Sequence, residues 1–295
     1  MARNKGLKRK TTGDYVIFVV MTILALVIVI PFYLSIVISF ETPAAYARSP
    51  AAMWPAEFTL ANYKYLINVG ALGVGYANTI FVAGFGLLYA MLLMVSMAYA
   101  FSHPSFPGKK LFFFIMLFTM FFGGGLVPTY LLMKDLGLRN TLWGIILMGG
   151  VSAYNIIIMK GGFESVPSSL SEAATIDGAN ELQIFWKVML PLQMPLLATF
   201  SLFTVVGYWN SWYWPSILIN KSKLQTLQLV LRSVVNSASA AQTAGQSASG
   251  MAGEDLFSEG MKMAAVVATM LPFMCVYPFL QKYFTKGVLV GSIKM

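Results

Sequence analysis

Residues Tyr15–Phe40 read YVIFVVMTILALVIVIPFYLSIVISF, an uninterrupted run without Asp, Glu, Lys or Arg. A helix needs about 20 apolar residues to cross the hydrocarbon core of a bilayer, whereas the apolar region of a signal peptide spans only about 7–15. The basic segment Arg3–Lys10 and the sequence Ala45-Tyr46-Ala47 imitate the flanks of a signal peptide, but the run between them is too long for one. The stretch therefore predicts an uncleaved membrane-spanning helix.

Five further runs lack the same four residue types and have comparable lengths. Only 11% of the chain is charged and 58% is hydrophobic, while about a quarter of a typical soluble domain is charged. Because lipid offers no partner for backbone N–H and C=O groups, each run has to pair them internally as a helix. The sequence predicts an all-α, polytopic membrane protein with six transmembrane helices. The further runs are Val74–Ser102, Leu111–Met133, Thr141–Met159, Leu190–Asn220 and Met263–Gln281.

The positions of Lys and Arg predict how the chain is oriented. These residues are enriched in the cytoplasmic loops of membrane proteins, and 12 of the 20 fall on one side if the N-terminus is cytoplasmic. That orientation makes residues 1–14 and 282–295 cytoplasmic segments around a six-span domain, residues 15–281, in a bacterial inner membrane. Since the basic residues flank apolar runs rather than cover one face, the net charge of +9 does not indicate a nucleic-acid partner.

The connection between the fifth and sixth runs, residues 221–262, has an unusual composition. Its middle, NSASAAQTAGQSASGMAG, is small and polar, with little to bury. Such segments behave as flexible linkers. We expect a mobile outer loop that either serves as a plain linker or reaches a partner protein, and the composition leaves both open.

The sequence lacks the usual residues for catalysis or ATP binding. Cys275 is the only cysteine and His103 the only histidine, so no metal site, disulfide or catalytic site is predicted. No string fits G-x-x-x-x-G-K-[ST], the loop that surrounds nucleotide phosphates, and we expect no cofactor in this chain. The apolar runs also lack the charges that mark proton pathways. The alternative is an ion-coupled secondary transporter of a small polar solute, which would use backbone carbonyls and hydroxyls.

The connection between the fourth and fifth runs predicts a helix–turn–helix at the cytoplasmic surface. Ser169 stands three residues before Glu172, the spacing of a capping box at a helix N-terminus. Gly178 suits the left-handed position that ends a helix. Asn180 stands three residues before Gln183 and repeats the spacing, so a second helix is expected to begin there.

The second helix of this connection, residues 160–189, is predicted to carry an apolar face. Helical spacing places on one face Leu182, Phe185, Trp186 and Met189. Pro191 follows at a position where a new helix can begin. Anchoring at the membrane interface would explain the aromatic residues of this face, but not the spacing of the whole segment.

The same segment resembles the EAA loop of binding-protein-dependent ABC importer permeases, whose pattern is E-A-A-x3-G-x9-I-x-L-P. Val188 replaces the isoleucine, and the matching positions are Glu172, Ala173, Ala174, Gly178, Leu190 and Pro191. Three further strings resemble the carbohydrate-uptake subgroup, which is related to the maltose-type second permease. Within it they are most similar to the oligosaccharide and polysaccharide branch, alginate-oligosaccharide importers included. The strings are FFGGGLVPTYLLMKDLGLRNTLWGIIL, GYWNSWYWP and CVYPFLQKYFTKGVLVGSIKM.

The resemblance implies a function and a set of partners. Members of this family form half of a sugar pathway that works by alternating access, and their EAA loops dock on separate cytoplasmic ATPases, which bind ATP and Mg. One loop per chain implies a second permease subunit, either a different chain or a second copy. It also implies two ATPase subunits and an extracytoplasmic substrate-binding protein. By the same resemblance, the ATPase-coupling residues are the six matching positions.

Candidate residues for the substrate path are polar and aromatic positions in the apolar runs. Aromatic faces stack on sugar rings and amides bind hydroxyls, although a membrane-interface belt also concentrates aromatic residues. At the outer end of the fifth run these candidates are Tyr208, Trp209, Asn210 and Trp212. Asn78, Tyr154 and Asn155 either line the path or pair between helices. Gly123–Gly125 and Pro128 interrupt the third run, for packing or as a hinge.

Overall fold

The chain forms helices and turns throughout the residues that the structure describes, with no strand and one isolated antiparallel bridge between Glu41 and Phe58. The all-α prediction is confirmed. Two compact units result, one of Met1–Asn68 with Val234–Ala268 and the other of Val69–Ser233 with Thr269–Met295. The computed structural model describes residues 12–50, 52–68, 71–243, 257–272 and 274–275.

The first unit begins with the first predicted span, which is a helix. Helix α1 covers Thr12–Ser39, and its side chains are exposed as far as Phe32, as expected where lipid is the solvent. The buried Asn62 amide donates to the carbonyl oxygen of Ser39 at 3.0 Å and so ties the end of α1 to a later helix. The short helices that follow α1 are α2, Pro43–Arg48, and α3, Ala61–Asn68.

A single long helix organises the second unit. Helix α4 covers Ala71–Ser102 and confirms the helix predicted over Val74–Ser102. Its Ala90 and Ala98 are fully buried, because small residues let neighbouring helices approach closely. The helices that follow in the chain are α5 (Lys109–Phe121), α6 (Leu126–Asp135), α7 (Leu142–Gly149), α8 (Ala153–Glu164), α9 (Ser168–Ile176), α10 (Glu181–Ile184), α11 (Leu190–Leu192), α12 (Met194–Trp209), α13 (Tyr213–Leu218) and α14 (Leu227–Thr243). A further helix covers residues 258–272.

Three of the predicted spans are bent pairs of helices rather than straight rods. Helices α5 and α6 meet at 116°, α7 and α8 at 54°, and Glu181–Leu192 meets Met194–Leu218 at 80°. By length and composition, two of the described helices can cross a membrane singly, and up to five spans result if each bent pair counts as one. The sixth predicted run, Met263–Gln281, is helical over residues 263–272, and its end lies outside the described residues.

The break in the third predicted span follows from its glycines. Gly125 adopts a φ of +80° directly before α6, a conformation that glycine reaches without the steric cost paid by other residues. A Cβ added at Gly123, Gly124 or Gly125 would meet no atom within 4 Å. Within the described chain, these glycines break the helix, and no neighbour supports the alternative of tight packing.

Much of the first half of the predicted outer loop is helical. Helix α14 begins at Leu227, which is fully buried and donates its N–H to the Thr79 hydroxyl at 2.8 Å. The small residues that suggested a linker include several alanines, and alanine is the best helix former. Residues 244–256 lie outside the described residues, as do the terminal segments 1–11 and 276–295.

Candidate functional site

Residues 165–193 form short helices and a bend, and we call this segment the elbow. Its first helix, α9, begins at Ser168 with Pro167 as N-cap and without a side-chain cap. The capping box predicted for Ser169 and Glu172 is therefore wrong. The fixed φ of proline starts the helix earlier, which places Ser169 inside the first turn, beyond the position from which a side chain caps.

The turn between the first two helices of the elbow is held by local hydrogen bonds. Gly178 has a φ of +83°, and its N–H donates to Thr175 O at 3.0 Å while Ala179 N–H donates to Ala174 O at 2.9 Å. This pair of bonds is the Schellman arrangement, which ends helices at glycine. Asn180 and Gln183 exchange side-chain to backbone bonds of 2.9 Å in both directions. The predictions for Gly178 and for the second capping box are confirmed.

A widened turn carries the second helix past Pro191. Residues Phe185–Met189 form a π-helical turn, in which Leu190 N–H donates to Phe185 O. Proline lacks an N–H and clashes with the carbonyl four residues before it, and a π-turn relieves that clash. The helical run therefore continues to Leu192, and the 80° bend follows it. The new helix expected at Pro191 begins after the bend.

The base of the elbow is fixed to the end of α4. The Phe185 ring packs 4.8 Å from the Tyr99 ring, measured between centroids. Glu181 accepts a hydrogen bond from the Tyr99 hydroxyl at 3.2 Å, and its other oxygen lies 3.5 Å from His103 Nε2. These contacts join the second helix of the elbow to α4 through both an aromatic pair and a carboxylate.

The bend itself is fixed to α8. Gln193 is 9% exposed, and its Nε2 donates to the carbonyl oxygen of Gly162 at 2.8 Å. A Cβ at Gly162 would overlap Leu196 Cδ2 and lie 2.9 Å from Gln193 Oε1. The absence of a side chain at Gly162 thus allows the backbone of α8 and the bend to meet directly.

The predicted apolar face of the second helix is divided between two directions. Phe185 and Met189 pack against the buried core, whereas Leu182 and Trp186 are 71% and 60% exposed. Because the π-turn begins at Phe185 and changes the number of residues per turn, the four side chains no longer share one face. Two of them anchor the elbow and two extend its exposed surface.

Helix α9 is the most exposed part of the elbow. None of its side chains is buried. Glu172 and Ala173 are exposed, Ala174 is half-buried, and Ile176 reaches 87% exposure. The elbow therefore presents an exposed surface, while its base is joined to α4 and α8 by ring contacts and hydrogen bonds.

Residues 71–79, 138–142 and 208–232 meet in a second region, which we call the aromatic end. The Asn78 amide donates to the carbonyl oxygens of Lys223 and Gln225 at 3.0 and 2.9 Å. Of the two interpretations left open for Asn78, the structure shows pairing between segments. The side-chain oxygen of Asn140 likewise accepts the N–H of Asn220 at 2.6 Å, which joins the turn before α7 to the segment after α13.

Two of the predicted aromatic candidates are core residues of this end. Tyr208 is 4% exposed and donates its hydroxyl to Ile146 O at 2.6 Å. A Cβ at any of three glycines, Gly86, Gly149 and Gly150, would overlap the Tyr208 ring. Trp209 is 8% exposed, with its ring 6.3 Å from that of Tyr76. Both side chains are packed between helices.

The other two candidates are exposed and have partners that sequence reasoning missed. Asn210 accepts a hydrogen bond from Gln228 Nε2 at 3.4 Å. The guanidinium carbon of Arg232 lies 4.0 Å from the centroid of the Trp212 ring, and Trp212 is 43% exposed. Arg232 and Gln228 belong to α14, in the connection that was expected to be a mobile loop, so no pattern in the sequence placed them beside Trp212.

The remaining candidates, Tyr154 and Asn155, lie in the first turn of α8, after the 54° bend. Tyr154 is 58% exposed, and the N–H of Asn155 donates to the Ser152 hydroxyl at 3.4 Å in an N-cap. Both residues lie more than 50 positions before Asn210–Trp212 in the sequence. The partner of Asn155 is the nearby cap residue Ser152.

The elbow and the aromatic end contact opposite ends of α4. Thr79 contacts the aromatic end, whereas Tyr99 contacts the elbow. At 1.5 Å per residue these positions are about 30 Å apart along the helix. That distance is about the hydrocarbon thickness of a bilayer.

Most of the chain matches a known protein family. The family model described as "Binding-protein-dependent transport system inner membrane component" matches residues 71–290. The chain belongs to this family. It is thus an inner-membrane permease component of a transporter rather than a catalytic enzyme, and the resemblance inferred from the EAA pattern is confirmed.

Similar permeases carry sugars. The polygalacturonan/rhamnogalacturonan transport system permease protein YtcP of Bacillus subtilis is 37% identical over 281 residues, which cover 95% of this chain and 98% of the relative. Protein LplC of the same organism is 37% identical over 266 residues, 90% of this chain and 89% of the relative. The crystal structure of a bacterial ABC transporter involved in the import of the acidic polysaccharide alginate contains a chain with a TM-score of 0.82 and 32% identity, covering 94% of this chain and 100% of that one. This permease is a subunit of an ABC sugar importer of the oligosaccharide and polysaccharide type.

Proposed function

We propose that this permease forms one half of the pathway through which a fragment of an acidic polysaccharide enters the cell, driven by ATP hydrolysis in separate subunits. The polygalacturonan relative and the alginate transporter support the substrate class. The other half of the pathway is a second permease, and an extracytoplasmic binding protein delivers the sugar. Two cytoplasmic ATPase subunits bind ATP and Mg.

The elbow is the coupling element in this proposal. The observation that carries it is the contrast between α9, which has no buried side chain, and the anchored base behind it. A surface that includes Glu172 and ends at Gly178 docks on an ATPase subunit, and Ala173 is small enough to allow close approach. When the ATPase subunit moves the docked elbow, the contacts of Phe185 and Gln193 transmit that movement to α4 and α8.

The membrane arrangement follows from the same proposal. Helices α1 and α4, the three bent pairs and the helix over residues 258–272 make six crossings. The elbow and both termini are cytoplasmic, and the aromatic end lies on the opposite side, since about 30 Å of α4 separates the two.

Charge reversal in the elbow tests the coupling role. With the complete importer in proteoliposomes, Glu172→Arg is expected to abolish ATP-driven uptake and to reduce the amount of ATPase subunit that co-purifies with the permease. Asp135→Arg, the same change of charge at the end of α6, serves as control and retains both. Normal uptake by Glu172→Arg would refute the coupling assignment.

The energy source is tested in the same vesicles. Uptake is expected to require internal ATP and to continue when ion gradients are collapsed with ionophores. Uptake that follows an ion gradient in the absence of ATP would instead establish the secondary transporter.

A further inference from the structure

The aromatic end carries positive charge that its own segments do not neutralise. The segments that meet there supply Arg139, Lys221, Lys223 and Arg232, and hydrogen bonds of Asn78 and Asn140 hold them together. The sequence has no Asp or Glu over residues 136–163 or 182–253. A concave or grouped set of like charges raises the local concentration of ions of opposite sign. The partner that suits this end is an anion.

Arg232 is held in a geometry suited to binding a carboxylate. Its guanidinium stacks on the Trp212 ring at 4.0 Å, which restrains the flat group by a cation–π contact. Arg232 is also exposed, so its guanidinium N–H groups can reach the two oxygens of a carboxylate, which they match in spacing.

Amide groups lie beside this pair. Gln228 precedes Arg232 by four residues, so both project from the same side of α14. Gln228 also donates to Asn210 at 3.4 Å. An amide offers both donors and an acceptor, which is what the hydroxyl groups of a sugar ring require. The group thus combines a cation, an exposed indole and two amides.

We infer that Trp212 and Arg232, with Asn210 and Gln228 beside them, bind a uronate residue of the acidic oligosaccharide as it enters the permease. Arg232 pairs with the sugar carboxylate, the exposed part of the indole contacts the C–H groups of the ring, and the amides bind its hydroxyls. This inference rests on the proposed function and adds the residues that select an acidic sugar.

An aromatic belt at the membrane interface explains fewer of these observations than a sugar-binding site does. A belt needs only tryptophan at the correct depth. It does not require that arginine be stacked on that tryptophan, nor that every charged residue of the surrounding segments be basic. Arg232 could equally attract the phosphate of a lipid headgroup, because phosphate and carboxylate bind guanidinium in the same way. The experiment therefore varies the lipid as well as the residue.

The test uses the complete importer in proteoliposomes with binding protein saturated with tetragalacturonate. Arg232→Gln is expected to lower the uptake rate about tenfold, the effect of losing one charge-assisted contact, while the loaded binding protein still stimulates ATP hydrolysis. Arg232→Lys keeps the charge but loses the flat group that pairs with both carboxylate oxygens, and is expected to recover the rate only in part. Lys134→Gln removes a basic group in the last turn of α6, outside the aromatic end, and is expected to stay within about twofold of wild type.

Five results would overturn the proposal or parts of it and can be told apart. Equal uptake by wild type and Arg232→Gln refutes the contact. A parallel loss of uptake and of stimulated ATP hydrolysis assigns Arg232 a structural role instead. A defect that appears only in vesicles with phosphatidylglycerol, and not in pure phosphatidylcholine, assigns it to lipid headgroups. Wild-type uptake of neutral oligosaccharides but not of tetragalacturonate refutes the acidic substrate while the permease function stands, whereas no ATP-driven sugar uptake at all refutes the proposed function.

Discussion

The elbow and the aromatic end lie at opposite ends of α4 and differ in both charge and construction. The charged residues of the elbow are three acidic ones, Glu172, Asp177 and Glu181, and one basic one, Lys187. All charged residues of the aromatic end are basic. The turns of the elbow are closed by bonds between residues three to five positions apart. The aromatic end is closed by bonds such as that between Leu227 and Thr79, which are 148 positions apart.

This difference in construction suits two kinds of partner. A locally stabilised helix pair keeps its shape while it is pushed, which is what a docking element needs. A surface assembled from distant segments changes when those segments move, so its affinity for a ligand changes with the state of the transporter. The comparison therefore predicts that changes at the elbow affect coupling, and that changes at the aromatic end affect substrate handling.

The largest effect is expected where the elbow meets α8. Gly162→Val places a branched side chain where even a Cβ overlaps Leu196 and approaches Gln193, and overpacking of this kind costs about 2 kcal/mol. We expect uptake to fall several-fold, because the valine displaces the Leu196 and Gln193 side chains and weakens the bond from Gln193 to Gly162 O. Binding-protein-stimulated ATP hydrolysis is measured in parallel.

Gly161 provides a matched control for that change. A Cβ at Gly161 meets no atom within 4 Å, so Gly161→Val should retain uptake. Equal damage from both variants would show that α8 tolerates no valine here, and the contact with the elbow would not be the cause.

A smaller effect is expected from the long-range bond of the aromatic end. Thr79→Val keeps the shape of the side chain but leaves the buried Leu227 N–H without its acceptor, which costs about 1.5 kcal/mol. The variant should unfold at lower denaturant concentration in detergent and should transport sugar more slowly, while the binding of ATPase subunits stays unchanged. Thr199→Val, whose hydroxyl bonds only to Pro195 O one turn away, serves as control. Loss of ATPase binding in Thr79→Val would contradict the separation of the two ends.

The smallest effect is expected from the local cap of the elbow. Asn180→Ala removes the capping box and costs about 1 kcal/mol. Because Phe185 and Gln193 still hold the base, we expect stimulated ATP hydrolysis to fall only modestly and substrate affinity not to change. Gln183→Ala, which removes only the return bond, should have a smaller effect. A change in substrate affinity in either variant would show that the two ends are not independent.

Sequence reasoning succeeded where the determinants are local. Gly178 ends its helix through hydrogen bonds to residues a few positions earlier. The spacing of Asn180 and Gln183 is itself that of a capping box, so the sequence predicts the cap. The runs that became α1 and α4 are recognisable because lipid imposes one secondary structure on a long apolar segment. The capping box predicted at Ser169 was wrong because the helix already begins after Pro167, two residues earlier.

Sequence reasoning failed where contacts between distant segments determine the structure. The glycines before α6 indicate a break, but the 116° angle depends on packing that no local pattern encodes. Arg232 stacks on Trp212 only because α14 folds back over the end of α12, and Leu227 is buried only because Thr79 and Gly75 lie beside it. The contact between Arg232 and Trp212 could therefore not be predicted from the sequence.

The unbroken length of α4 has a mechanical consequence. At 32 residues it is the longest helix in the described chain, and it touches both functional regions while its neighbours bend. A rigid rod that tilts by about 10° about one end moves the other end, about 30 Å away, by about 5 Å. Such a displacement is comparable to the width of a pyranose ring, so in the proposed mechanism a small tilt of α4, driven from the elbow, is enough to open or close the path for one monosaccharide unit.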